Sequence, residues 1–470
     1  MSDGDIGFMT AAELAGAYRR GALSPVEAVR ALLVRIGRLN PRINAYNLVD
    51  EPAALEQARA SEARWRAGNP LSPLDGVPAS IKDIILTKGW PTLRGSLTVD
   101  PKQAWNEDAP VTARLREAGC VLLGKTTTPE FGWKGVTDSP GTGITRNPWN
   151  TDTTPGGSSG GASAQVAAGL GPLAVGTDGG GSIRIPAAFA GITGLKPSFG
   201  RVPAHPLSPF GTVAHLGPMT RDVHDAALML REMARPDPRD WFSLPWQDVD
   251  YTADLEAGIA GWRVAYSPAL GFAKVDPAVA ADVRRAVQVL ADLGAIVEEV
   301  DPPITADCTE IFHAHWFVGA YNALLDLPEA EFAKLDPGLL KTYQMGKAIS
   351  MAEYLRAVNA RGKLGAAMRG FHQRYTLLVT PSLAVPAFEA GRLAPAEMGD
   401  AYWTAWTPFT YPFNLTQQPA LSVPCGFTAD GLPIGLQIVG PMHRDDLVLR
   451  AGAAYQSATD WHRRRPDMAA

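Results

Sequence analysis

The stretch Gly176-Thr-Asp-Gly-Gly-Gly-Ser182-Ile-Arg-Ile-Pro186 gathers groups suited to acyl chemistry. A short apolar run, Leu173 to Val175, enters it, and three glycines precede a serine. With no side chains in the way, the N–H groups of Gly179, Gly180, Gly181 and Ser182 can surround a developing oxyanion beside the Ser182 hydroxyl. The bland alternative is a tight turn or a nest for a structural anion. Asp178 reads as a brace for this loop rather than as a reacting group.

A second segment, Thr154-Pro-Gly-Gly-Ser158-Ser159-Gly-Gly161, is equally rich in glycine. It lacks the Gly-Lys-Ser/Thr ending of a phosphate-binding loop. Gly156-Gly-Ser158-Ser-Gly160 matches the G-x-S-x-G nucleophile elbow letter by letter, but that elbow follows an apolar strand and Asn147 to Pro155 is loop material. A purely structural Gly/Ser turn stays open as well. A third segment, Leu74 to Ile85, carries Lys82 within an apolar run. Such a lysine either snorkels to solvent or is buried, and burial lowers its pKa until it can act as a base. An unperturbed lysine would be only about 0.4% neutral at pH 8. None of the eight histidines lies in the glycine-rich segments, and the isolated His313-Ala-His315 is of a kind that packs more often than it binds metal. No metal site is expected.

The elements around these segments follow from capping and periodicity. Thr10 with Glu13 and Ser24 with Glu27 form capping boxes that open two helices, the second with Pro25 in its first turn, and Gly21 ends the first. A helix is predicted over 53–67, and another from about 108 to 119 runs into the strand-like Cys120 to Leu123. Further helices are predicted over 220–234, 277–293 and 351–374, and strands at 262–265, 296–300, 377–380 and 434–439. Helix alternating with strand implies α/β layers. Residues 140–200 alternate glycine-rich stretches with apolar runs, which implies tight backbone packing rather than a linker. The pattern predicts one domain over 1–470, with a helical cap or insertion at about 230–345.

Composition excludes several classes. The net charge is −5 and no extended basic stripe exists, so no nucleic-acid partner is expected. Cys120, Cys308 and Cys425 are few, odd in number and far apart, which reads as reduced thiols in a cytoplasm. The N-terminus shows no basic region followed by an apolar stretch. The longest near-apolar stretch, Val166 to Gly176, is too short to span a bilayer, so no membrane association is expected.

Together the three segments resemble the amidase signature family, from about Ala12 to Thr459. The resemblance is densest over 154–199, where Ser158 and Ser182 stand 24 residues apart with a distant lysine upstream. Pro412-Phe-Asn414 and Pro419 to Gly426 are similar to the family's tail. Carried over by position, the resemblance makes Ser182 the nucleophile, Ser158 a bridging serine and Lys82 the base. It also implies a signature core over about 74–200, a cis Gly157–Ser158 peptide, a central mixed β-sheet flanked by α-helices, no cofactor, and a homodimer at the level of the family.

The substrate is expected to be a small-molecule amide. One branch of the family is the glutamine-amidase subunit of a tRNA-dependent amidotransferase, in which an Asp holds the glutamine amino group. Thr407 stands at that place here, and that branch's paired arginines are not evident near Gly338 to Gly346. Phe131, Trp133, Trp406 and Phe409 are candidate pocket residues, against the alternative of core packing. They favour aryl or alkyl amides, anilides or carbamates. A non-catalytic binding module on the same fold is the other alternative, one that a fluorophosphonate probe would discriminate.

Overall fold

Capping decides where the first helices begin. Thr10 and Ser24 each accept the N–H three residues on, and Glu13 and Glu27 return the bond, opening helices Ala11–Arg19 and Pro25–Ile43. Ser350 and Glu353 repeat the device at helix Met351–Phe371. This computed structural model describes residues 6–468.

The helices flank an eleven-stranded mixed sheet. Its strands are β1 (Tyr46–Val49), β2 (Pro78–Lys82), β3 (Val121–Thr126), β4 (Leu173–Asp178), β5 (Thr193–Lys196) and β6 (His215–Thr220). They continue as β7 (Arg263–Tyr266), β8 (Ile296–Glu299), β9 (Leu377–Pro381), β10 (Ala420–Phe427) and β11 (Pro433–Val439). The spatial order is β1-β3-β2-β4-β6-β5-β10-β11-β9-β7-β8. β2 lies parallel to both β3 and β4, while β4 meets β6 antiparallel.

The strands that matter for chemistry are covered on both faces. Every residue of β2 is buried, and so is every residue of β4 except Thr177. This explains their continuous apolar runs, which lack the alternation of a half-exposed strand. In the parallel register Ile81 faces Val175, so Lys82 and the Gly176–Asp178 end of β4 emerge at the same edge of the sheet. Ligand sites in open α/β sheets form at that edge, beyond the carboxyl ends of parallel strands.

Close approach explains the glycine density. Helix Gly160–Ala167 is buried at every position. A Cβ on Gly161 would stand 2.4 Å from the Thr127 nitrogen, and one on Gly157 2.4 Å from the Val136 carbonyl oxygen. Both obstacles are backbone and cannot move aside.

The expected insertion at 230–345 is corrected: β7 and β8 of the central sheet lie inside that range. Helix Cys308–Ala323 packs instead against both Pro337–Ala348 and Met351–Phe371. Their aromatic side chains join a core cluster holding Trp133, Trp316, Trp403, Trp406 and Phe409. Buried Lys134 ties the start of helix Pro337–Ala348 to the segment before Ser139, pairing with Asp138 at 2.6 Å and with the N-cap Asp336 at 2.8 Å. Among the described residues no helix is long and apolar enough to cross a membrane.

Candidate active site

Lys82 ends β2 with its side chain wholly buried. Its Nζ lies 2.6 Å from Ser158 Oγ, 2.9 Å from Ser159 Oγ and 2.9 Å from Thr177 Oγ1. An ammonium donates to all three hydroxyls. A neutral amine donates to two and accepts from the third, so the cage serves either state. Burial pushes the Lys82 pKa well below the ordinary lysine value, and the Asp178 carboxylate opposes this only in part. Ser158 follows a cis peptide from Gly157, as the resemblance implies.

The Ser182 turn is built around Asp178. Its carboxylate accepts the N–H of Gly181 at 2.8 Å and of Ile183 at 3.1 Å. Arg184 holds the same carboxylate through Nε and Nη2. Burial alone would raise the Asp178 pKa, but the Arg184 guanidinium keeps it well below the usual carboxylate range. Arg184 in turn reaches the Thr410 carbonyl at 2.9 Å, Gln437 Oε1 at 2.8 Å and Asn414 Oδ1 at 2.7 Å. The Asn414 amide donates back to Asp178. The Ser182 carbonyl accepts the Ser159 N–H at 3.1 Å, which ties the two glycine-rich segments to each other.

Ser158 and Ser182 open onto one cavity of about 630 Å³. Phe131, Phe199, Phe210 and Trp316 give it an aromatic wall, with Phe210 stacked on Trp316 at 4.1 Å. Such a cavity suits an apolar ligand held by a few polar groups.

The sequence-predicted site residues divide here. Lys82, Ser158 and Ser182 come together, and Gly179 lines the cavity beside them. Gly180 turns inward, where a Cβ would stand 2.7 Å from Phe312 and Trp403. Gly181 is corrected as an oxyanion donor, because its N–H is already given to Asp178. Phe131 lines the cavity, whereas Trp133, Trp406 and Phe409 do not. Trp133 is buried and accepts the Trp316 indole N–H at its carbonyl. Trp406 stacks on Phe189 at 5.6 Å, and the Phe409 carbonyl accepts from Gln437. These three are core residues, buried in the cluster that also holds Phe189, Phe312 and Trp403. Thr407 is also wholly buried. His313 and His315 each have a local partner, Thr404 Oγ1 and the Ile311 carbonyl, both at 2.8 Å.

Sequence reasoning missed Thr177, Arg184 and Gln437, along with the wall residues Phe199, Phe210 and Trp316. Thr177 and Arg184 flank the glycine run, so their place in the motif is a usable signal. The wall residues come from separate segments and carry no local mark.

The Amidase family model matches residues 27–449. An acylamidase of Rhodococcus erythropolis is 39% identical, covering 99% of this chain and 98% of its own length. A glutamyl-tRNA(Gln) amidotransferase subunit from Chloroflexus aggregans is 38% identical, with 99% of each chain covered. The crystal structure of a bacterial aryl acylamidase of the amidase signature family superposes with a TM-score of 0.90 at 32% identity, covering 97% of this chain and 98% of the other. The chain belongs to the amidase family, among the amidase signature enzymes, and is an amide-hydrolysing enzyme.

Proposed function

We propose that the chain hydrolyses aryl or alkyl amides, anilides or carbamates through an acyl-enzyme on Ser182. Neutral Lys82 takes a proton from Ser158, which takes one from Ser182 as its Oγ attacks the amide carbonyl carbon. N–H groups at Gly179 and Ser182 face the developing oxyanion. The C–N bond then breaks, and the proton returns through Ser158 to the leaving amine. Water hydrolyses the ester on Ser182, giving the carboxylic acid and free enzyme.

The observation that carries this reading is the buried Lys82 amine at 2.6 Å from Ser158, in a site that opens on an aromatic cavity with Ser182. The aromatic wall, the acylamidase relative and the aryl acylamidase structure support the substrate class. Buried Thr407, with its Oγ1 directed to the Trp403 carbonyl, offers no carboxylate to a glutamine amino group.

The test is a panel of acetanilide, an aliphatic amide, an aryl carbamate and glutamine, run against wild type and Ser182→Ala, with fluorophosphonate labelling of both. Hydrolysis of acetanilide and labelling that are both lost in Ser182→Ala are expected. A clear preference for glutamine, or a wild type that takes no label, overturns the reading.

A further inference from the structure

One cation in the cavity wall lacks an acceptor. Arg94 lines the cavity of Ser158 and Ser182 and also a second one of about 520 Å³, and so does Phe131. The Arg94 guanidinium lies over the Phe131 ring at 5.9 Å. Among the described residues it has no hydrogen-bond or ion-pair acceptor. Asp83 is the carboxylate that attracts it through space. That carboxylate is already engaged by Lys125 at 3.7 Å, by the Asn47 amide at 2.8 Å and by the Leu93 N–H at 3.3 Å. One carboxylate thus serves two cations, and a positive charge remains at the cavity wall.

The backbone gives a second, independent sign. Arg94 and Phe131 both lie in the left-handed region, at φ 58° and 51°. This region is costly for side chains of these types, and such residues gather at ligand clamps. The two are fastened to each other, since the Phe131 N–H donates to the Arg94 carbonyl at 2.8 Å. The result is a guanidinium over an aromatic ring on a tied backbone, both residues lining the chamber that holds the serines.

We infer that Arg94 is a specificity-determining residue that binds a carboxylate on the substrate, and that the preferred substrates are aryl amides bearing such a group. The substrate ring lies against Phe131 and its carboxylate meets the guanidinium in a charge-assisted pair. The outer chamber carries Asp100, Glu107 and Asp326, all exposed, with Glu107 3.6 Å from Arg239. This inference rests on the anilide reading of the site.

The test compares 4-acetamidobenzoate, neutral acetanilide and cationic 4-(aminomethyl)acetanilide on wild type, Arg94→Gln and Arg94→Lys. In wild type, kcat/KM for the carboxylate should exceed that for acetanilide by at least about tenfold, the scale of a hydrogen bond to a charged group. The advantage should sit in KM. It should collapse in Arg94→Gln and return in part in Arg94→Lys. The ratio between substrates cancels any general loss of activity in the variants. An unchanged ratio in Arg94→Gln, or a wild type that prefers the neutral or cationic amide, overturns the inference while acetanilide hydrolysis leaves the anilide reading intact. If neither anilide is cleaved and glutamine is, both fall together.

Discussion

Arg184 grips Asp178 through two bonds, Nε to Oδ2 at 3.0 Å and Nη2 to Oδ1 at 2.9 Å, and both side chains are wholly buried. The pair stands behind the Ser182 turn, so its integrity sets where that serine points. Replacing Arg184 with Met leaves a buried carboxylate without its main counter-charge. Breaking such a pair costs about 3–5 kcal/mol. Chemical denaturation should show a loss of that size, together with slower fluorophosphonate labelling of Ser182. A variant as stable and as reactive as wild type would separate the pair from the turn.

Lys82 makes the activity depend on pH in a defined direction. Burial lowers its pKa, so it loses its proton at a pH below the ordinary lysine range. In the proposed mechanism the neutral form is the base, so kcat/KM should rise with pH through the lowered value and then level off. The rise should end well below about pH 10.4, where an exposed lysine would still be titrating. Lys82→Ala should lose activity by roughly 10²–10⁴-fold, the scale of a general base. A rate that keeps climbing through pH 10, or one that is flat from pH 5 upward in a chemistry-limited assay, counts against Lys82.

Gly181 has no room for a side chain. Its φ is 129°, and a Cβ would stand 2.4 Å from Thr410 Oγ1. Gly181→Ala should lower kcat by at least about tenfold, through displacement of the neighbouring oxyanion donors. Thr410→Gly removes the atom in the way, so the double variant should recover part of the loss. A strictly additive double-mutant cycle would place the defect elsewhere.

Phe131 and Trp406 should answer to different assays. Phe131 lines the cavity, so Phe131→Ala should raise KM for anilides with little change in thermal stability. Trp406 has no exposed surface and stacks on Phe189, so Trp406→Ala should cost about 3–5 kcal/mol of folding stability. The reverse pattern, an effect on KM from Trp406 and on stability from Phe131, would contradict this division of cavity and core.

Local chemistry is legible wherever neighbours in sequence are neighbours in space. The Thr10–Glu13 and Ser24–Glu27 caps depend on residues three apart, and both form. The predicted helix over 277–293 is Pro277–Asp292, and the predicted strand over 434–439 is Pro433–Val439. Strands β2, β5, β6 and β10 escape sequence reading, because buried strands with glycine, proline or lysine lack a period-two pattern, and the four-residue β1 is too short to show one. Residues 230–345 read as a helical cap or insertion, and the short β7 and β8 inside them read as strands without their place in the sheet being evident.

The sequence by itself supplied the candidate groups: a serine behind three glycines, a second serine 24 residues earlier and a lysine in an apolar run. Their types and spacing mark the segments, the resemblance they carry implies the roles, and the base proposed at Lys82 depends on its surroundings. Only the tertiary structure decided that Lys82 is buried rather than exposed, because parallel pairing of β2 with β4 brings its amine under Ser158, Ser159 and Thr177. It also decided which aromatics line the cavity. Phe131, Phe199, Phe210 and Trp316 meet across long sequence separations, and whether a ring lines a cavity or fills a core depends on what packs behind it.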